Sequence, residues 1–321
     1  MFDDALLQAR TRAGDAVPMV DEIRGLTMRG GKRLRPAMLV AAIECTSSWD
    51  TLRGPAADVG AAIELLQTYL LIHDDWMDGD TVRRGGPTVH VALSKAYGGT
   101  HRGAATAILA GDLASSLAQD LVAHADLPFE RLRTVLSAYV LMQREVVLGQ
   151  TLDVLDAQDI DAIHDLKTGS YTVRGPLALG HGIAGGSVAT WTALESFARP
   201  IGIAFQLRDD VIGTFGDEAE TGKSSATDLR AGKRTAPVRF ALERLDAAGQ
   251  QELSALLGHD DDAKVTRARA IIEDIGARAA VEERIVALRE RALAALDSGA
   301  LRAEGAKLLA ALAHVMTDRR K

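Results

Sequence analysis

Asp74 and Asp78 stand four residues apart, and on a helix that spacing puts both carboxylates on one face, within reach of one ligand. They belong to the run Leu71-Ile72-His73-Asp74-Asp75-Trp76-Met77-Asp78, and a second acidic pair sits in Phe205-Gln206-Leu207-Arg208-Asp209-Asp210-Val211-Ile212. Adjacent acids inside apolar sequence are costly to fold, because desolvated carboxylates need cations or strong donors. Mg²⁺ prefers oxygen ligands, keeps several waters, and commonly joins one or two carboxylates to the phosphates of a substrate. A solvated helix face is the competing reading, and the apolar Tyr69-Leu70-Leu71-Ile72 just before the acids weighs against it. Asp75 projects from another side of the helix, where it serves behind the ligands.

Basic residues recur beside these acids. Gly30-Gly31-Lys32-Arg33-Leu34-Arg35-Pro36 gathers its cations behind a flexible glycine pair, and Arg83-Arg84-Gly85-Gly86-Pro87-Thr88 follows the first acids. Lys223, in Thr221-Gly222-Lys223, and Lys233, in Gly232-Lys233-Arg234, follow the second. Arginine forks bind phosphate oxygens through paired hydrogen bonds, while lysine supplies a mobile point charge. Each cluster alone suits a solvated surface. Their repeated placement beside the acids describes a diphosphate site, with acids for Mg²⁺ and bases for phosphate. Lys167-Thr168, ahead of Tyr171, and Gln206, a turn before Asp209, add polar groups in helical context. His73-Asp74 also resembles the core of an HD-type phosphohydrolase, but that design needs an upstream histidine and His73 is the first in the chain. His73 is therefore read as packing or supporting. His259-Asp260-Asp261-Asp262 follows Gly258, lacks clustered basic partners, and reads as a loop and helix N-cap before Ala263.

The elements that must carry these residues are helical. Ala105, Leu109, Leu113, Leu117 and Leu121 repeat as one face of a helix would, and Val281, Ile285, Leu288, Ala292 and Leu296 do the same. No series of alternating segments with hairpin turns is found. Breakers fall at Gly30-Gly31, Gly85-Gly86-Pro87, Gly98-Gly99, Gly185-Gly186, Gly216 and Gly258. The longest irregular stretch, from about Phe215 to Thr235, follows the second acids directly, and long polar loops in compact helical domains are often functional. A chain of 321 residues with 47% hydrophobic and 25% charged residues is ordinary globular material, compatible with one large all-helical domain over 1–321. Net charge of −7 argues against a nucleic-acid partner. The single cysteine, Cys45, excludes an intrachain disulfide and suits a reducing compartment. The acidic start Met1-Phe2-Asp3-Asp4 is unlike a secretory signal, and no apolar run is long enough to span a bilayer. A cytoplasmic protein without a transmembrane segment is expected.

Taken in order, Gly30–Pro36, Asp74–Asp78, Arg83–Thr88, Lys167-Thr168, Phe205–Asp210, Gly216–Lys223 and Asp228–Thr235 closely resemble the motifs of the trans-isoprenyl diphosphate synthases, the polyprenyl synthetase family. The resemblance runs from about Gly30 to Arg234, and the later helices fit the family's length. It implies an all-α, isoprenoid synthase-type bundle around a central active-site cavity, usually a homodimer. It also implies Mg²⁺, several ions per site, held by Asp74, Asp78 and Asp209. Lys32, Arg35, Gln67 and Arg84 then bind isopentenyl diphosphate. Gln67 stands where many bacterial members have histidine, and either side chain can donate to phosphate. Arg83, Lys167, Thr168, Gln206, Lys223 and Lys233 contact the allylic diphosphate, whether dimethylallyl, geranyl or farnesyl. Asp74, Asp209, Lys167, Thr168 and Gln206 form the catalytic set.

One departure concerns the second acidic motif. Many members carry a further acid at the position held here by Gly213, for which Asp210 or Asp217 could compensate through water. The family's product-length logic points to Tyr69 and Leu70 as the cavity floor, the alternative being that Tyr69 merely packs in the core. A tyrosine there blocks very long products and resembles synthases making geranylgeranyl diphosphate, with farnesyl diphosphate the near rival. Two other functions compete. A class I terpene cyclase shares the first acidic motif, but its second needs Asn or Asp followed at set spacing by Ser or Thr and Glu, and neither form occurs here. A non-catalytic partner subunit of a heteromeric synthase is expected to have lost acids or bases that this chain retains.

Overall fold

Helices follow one another with little between them. The computed structural model describes residues 2–155, 157, 159–216 and 226–319. The first helices are α1 (Phe2–Arg12), α2 (Val17–Met28), α3 (Leu34–Thr46), α4 (Arg53–Met77), α5 (Val89–Tyr97), α6 (Thr100–Ala123) and α7 (Phe129–Val154). The short α8 (Ile160–Ile163) runs into a π-helix (His164–Arg174), and then come α9 (Gly175–Ala184) and the long α10 (Val188–Phe215). Six more follow: α11 (Thr227–Arg230), α12 (Ala236–Arg244), α13 (Ala247–Leu256), α14 (Asp262–Asp274), α15 (Ala277–Ala295) and α16 (Ala303–Thr317). The chain breaks at Gly30-Gly31, Gly98-Gly99, Gly185-Gly186, Gly216 and Gly258, as the glycines predict.

Two local features differ from the sequence reading. Val82–Arg83 pairs antiparallel with Gly86–Pro87 in a hairpin too short to leave an alternating pattern. Its central residues, Arg84 (φ 52°) and Gly85 (φ 73°), are both left-handed, as a type I′ turn requires. The stretch read as irregular from Phe215 to Thr235 is partly helical, since Phe215 closes α10 and α11 forms one turn.

The chain forms two compact units. The first comprises Met1–Ile43, Ser47–Tyr139 and Ala178–Gly185. Its core gathers Ile23 and Leu26 of α2, Ile72 of α4, Val89 and Leu93 of α5, and Ala107, Ala110 and Ala114 of α6. The leucine repeat locates α6, but the face it marks is not the buried one. Leu109 is 57% exposed, and the buried side is the small-residue face Gly103, Ala107, Ala110, Gly111, Ala114 and Ala118. Small side chains let α6 lie close against α4 and α5, so intimate helix packing, rather than the bulkiest residues, decides which face is buried.

The second unit comprises Glu44–Thr46, Val140–Leu177 and Gly186–Lys321. There α10 packs along the π-helix and α15, whose Val281, Ile285 and Ala292 are buried as their periodicity predicts. A separate core of Leu229, Val238, Ala241, Leu253, Val265 and Ile272 holds α11 to α14 together. Among the described residues, no helix is long and apolar enough to cross a membrane.

Candidate active site

In the first unit α4 ends at Met77, and the Asp78 N–H donates to Asp74 O at 2.8 Å, so the helical spacing of the two acids survives to the last turn. Asp78 is exposed, Asp74 half-buried and Asp75 fully buried. The Arg83 Nε donates to Asp75 Oδ1 at 2.6 Å, while Nη2 also pairs with Asp75, meets Asp80 at 3.0 Å and lies 4.0 Å from Asp74. Burial pushes the Asp75 carboxyl above its ordinary pKa, and Arg83 opposes that push. Arg83 thus lies against the buried acid and reaches towards its exposed neighbour.

The remaining bases of this unit surround the end of α2. Arg84 Nη1 donates to Leu26 O at 3.2 Å and Arg29 O at 3.1 Å, satisfying carbonyls at a helix C-terminus. Arg29 in turn donates to Pro87 O at 3.2 Å, which ties the hairpin to α2. Arg33, the residue before α3, is left-handed (φ 51°); it ion-pairs with Glu64 and donates to Thr27 O at 2.8 Å. Non-glycine residues rarely adopt that conformation, and such strain concentrates at functional sites. Burial, followed by repulsion from Arg33, Arg35, Arg83 and Arg29, pushes the Arg84 pKa down, so an anion among these guanidiniums relieves their mutual repulsion. Lys32 is exposed, and Arg35 and Gln67 are half-buried in the same unit.

Tyr69 lies against the first unit's core, and its ring meets the His73 ring edge-on at 4.8 Å. His73 Nε2 lies 3.0 Å from Ile108 O, so the histidine packs between α4 and α6. Leu70 is half-buried.

In the second unit Lys167 and Thr168 fall in the π-helix, a conformation frequent at functional sites. Lys167 Nζ donates to Asp153 Oδ2 at 2.5 Å. Gly149 makes that approach possible, since a Cβ there would come within 2.6 Å of the Lys167 Cα. Arg174 pins the same segment, bonding Glu145 at 2.8 Å and Asp165 at 3.0 Å.

The second acidic pair repeats the division of the first. Asp210 is buried and both its oxygens are engaged: Gln206 Nε2 donates to Oδ1 and Ala236 N to Oδ2, each at 2.9 Å. His164 Nε2 lies 3.6 Å from Oδ2. Burial raises the Asp210 pKa to about 6. Asp209 is more exposed and receives the guanidinium of Arg319, which also lies over the Phe205 ring at 4.2 Å. Asp209 therefore pairs with a cationic side chain. Lys233 is exposed, whereas Lys223 and Asp217 lie outside the described residues. The His259–Asp262 run behaves as an N-cap, with Asp261 Oδ1 accepting from Ala263 N at 2.8 Å. It does have a basic partner, contrary to expectation, because Arg230 pairs with both Asp260 and Asp262.

In the first unit Asp74 and Asp78, and separately in the second unit Asp209, offer hard oxygen donors of the kind that suits Mg²⁺. Among the described residues, no three His, Cys, Asp or Glu side chains cluster tightly enough to hold a metal alone. An ion here must complete its shell with water or phosphate, as Mg²⁺ does.

The model of the polyprenyl synthetase family matches residues 18–275. The chain belongs to that family. This polyprenyl synthetase is 33% identical to a geranylfarnesyl diphosphate synthase from Aeropyrum pernix, over 92% of each chain. It is 36% identical to the farnesyl diphosphate synthase of Escherichia coli, over 71% of this chain and 76% of that one. Its fold matches a geranylgeranyl pyrophosphate synthase from Corynebacterium glutamicum, whose crystal structure is complexed with isoprenyl diphosphate and magnesium. That match has a TM-score of 0.90 and 35% identity, covering 99% of this chain and 95% of the other. The synthetase is thus an all-α bundle of the isoprenoid synthase type and a short-chain trans-prenyltransferase. Mg²⁺ dependence, and the joining of isopentenyl to allylic diphosphates, are general to its family.

Several residues around the candidate site were missed from sequence. Arg29, the residue after α2, and Asp153, near the end of α7, lie outside the motifs read from the sequence. Arg319 had no such signal, because its partner Asp209 is 110 residues away.

Proposed function

We propose that this enzyme condenses isopentenyl diphosphate with dimethylallyl, geranyl or farnesyl diphosphate to make geranylgeranyl diphosphate, with farnesyl diphosphate the nearest rival product. The observation that carries the reading is the i, i+4 pair Asp74 and Asp78 in a unit that also packs Arg29, Arg33, Arg35, Arg83 and Arg84 near one another. We assign Lys32, Arg35, Gln67 and Arg84 to isopentenyl diphosphate, and Arg83, Lys167, Thr168, Gln206, Lys223 and Lys233 to the allylic partner. Asp74, Asp78 and Asp209 hold several Mg²⁺ ions, which supply charge neutralisation to the departing diphosphate.

The chain's own groups do the rest. Cationic side chains stabilise the oxygens of the leaving diphosphate as its bond to the allylic carbon breaks. With Nε2 committed to Asp210, the Gln206 oxygen joins Thr168 in stabilising the allylic cation. The isopentenyl double bond attacks that carbon, a proton is lost, and diphosphate is released with a product one isoprene unit longer. Tyr69, one turn before Asp74 and against the core, limits that growth, with Leu70 beside it. The relatives' products range from farnesyl to geranylfarnesyl, which supports a short product without choosing among them.

We further propose that the two units work as one domain and that the enzyme is a cytoplasmic homodimer. Leu109 on α6 and Leu141 and Leu148 on α7 are more than half exposed, apolar surface that a second copy would cover. Incubating the pure protein with Mg²⁺, labelled isopentenyl diphosphate and each allylic primer tests the reaction, and chromatography of the products reads the length. No incorporation with any primer rejects it.

A further inference from the structure

The hairpin that carries Arg83 and Arg84 has only two residue pairs, Val82 with Pro87 and Arg83 with Gly86. A two-stranded hairpin is marginal on its own in water, so ties to its surroundings must fix it. Thr88 closes its base, with Oγ1 donating to Asp80 O at 2.8 Å and N to Thr81 O at 3.1 Å. Arg29, the residue after α2, ties it to that helix. Its Nη1 donates to Pro87 O at 3.2 Å and reaches Arg83 O at 3.4 Å, so one end of the guanidinium spans both strands. Nη2 faces Glu22 Oε2, two turns back along α2, at 3.7 Å.

The clasp is reciprocal. Arg84 Nη1 donates back to Arg29 O at 3.1 Å, so each arginine grips the main chain of the other's segment. With Nη1 anchored, the direction of the Arg84 fork is set before any ligand arrives. Glycines admit both guanidiniums. A Cβ on Gly31 would lie 3.2 Å from Arg84 Nη2, and one on Gly86 would lie 3.0 Å from Arg29 Cζ and closer still to its Nη1. Gly31 and Gly85 also need their left-handed backbone, at φ 103° and 73°, whereas Gly86 is not left-handed. Space for Arg29 is therefore the reason for glycine at 86. Seating Arg29 here costs repulsion, because it is one of the cations that push the Arg84 pKa down, and an anionic ligand relieves that repulsion.

We propose that Arg29 is a positioning residue for isopentenyl diphosphate: by clasping the hairpin across Gly86, it fixes the direction of the Arg84 guanidinium that receives the diphosphate. This rests on the prenyl-transfer reading and adds a residue that lies outside the motifs. Arg29 itself contacts the hairpin and Glu22, not the substrate. Its effect passes through Arg84, so it sets the affinity for isopentenyl diphosphate and not the rate of bond making.

The test is steady-state kinetics of the full chain with Mg²⁺, isopentenyl diphosphate and geranyl diphosphate. Arg29→Met keeps the aliphatic stem and loses the fork. It should raise the KM for isopentenyl diphosphate about tenfold or more, the scale of a misplaced binding group. The kcat and the KM for geranyl diphosphate should stay within about twofold of the parent. Gly86→Ala meets only the far end of a flexible side chain, so it should evict Arg29 with the hairpin intact and raise the same KM. In Arg29→Met/Gly86→Ala the two losses should not add, since both remove one clasp. Arg29→Lys, which still donates to one carbonyl, should fall between the parent and Arg29→Met. Circular dichroism and melting show that each variant is folded at the assay temperature. An unchanged KM for isopentenyl diphosphate in Arg29→Met overturns the proposal. Additive losses in the double variant overturn it too, because Gly86 then acts by another route. So does a rise in both KM values together with a fall in kcat, the mark of general destabilisation. If the parent transfers isopentenyl diphosphate to none of dimethylallyl, geranyl or farnesyl diphosphate, it is the prenyl-transfer reading that fails.

Discussion

Arg319 donates to Asp209, joining the end of the chain to the more exposed acid of the second pair while stacking on Phe205. A guanidinium there holds the place of a cation, so it competes with any divalent ion for that carboxylate. A partly exposed ion pair is worth about 1 kcal/mol at most, or about fivefold in affinity. Arg319→Gln is therefore expected to lower, by up to about that factor, the Mg²⁺ concentration that protects the substrate-free protein in a thermal shift assay. A higher requirement in the variant would show that Arg319 assists the ion instead of competing with it.

Asp75 and Arg83 form the opposite kind of pair, buried and structural. Removing one partner of a buried pair strands the other, at a cost of about 3 kcal/mol. Arg83→Leu should destabilise the protein by about that much in urea, and Asp75→Asn by less, because the Arg83 left behind is not fully buried and keeps Asp80 as an ion-pair partner. The double variant should regain part of the loss. No measurable loss from Asp75→Asn would mean that Asp75 is not held as an anion in the native state.

Asp210 should leave a signature in acid. Its carboxyl is held near pKa 6 by burial, above the ordinary carboxylate value, so the native state binds its proton more tightly than the unfolded chain does. Stability from this group is then full below the unfolded pKa of about 4, falls as pH rises to about 6, and stays constant above that. The slope is at most about 1.4 kcal/mol per pH unit. In metal-free buffer, the difference in stability between the parent and Asp210→Asn should change across that window and not above it. A difference independent of pH from 4 to 7 would place the carboxyl at an ordinary pKa.

Tyr69 packs against the core and His73, so it is both a structural residue and the proposed stop for the growing chain. Tyr69→Ala should lengthen the dominant product while costing about 3 kcal/mol, as large-to-small core changes do. Chromatography of the products decides the matter, and an unchanged length leaves Tyr69 with packing alone.

Much of this enzyme was legible in the sequence, because local chemistry is written in local spacing. Helical spacing placed Asp74 with Asp78, glycines marked the helix ends, and the ordered series of acidic and basic motifs pointed to the family. The tertiary structure decided what depends on residues brought together from afar. The leucine repeat of α6 located a helix but not its buried face, since only close packing against neighbouring helices selects the small side chains of Ala107 and Ala110. The hairpin that presents Arg84 was too short to leave a period. The glycine at 86 read as part of a chain break until the fold laid Arg29 over it. Spacing determines which residues share a turn, whereas a guanidinium delivered from another segment is chosen by steric fit and charge, which no local pattern encodes.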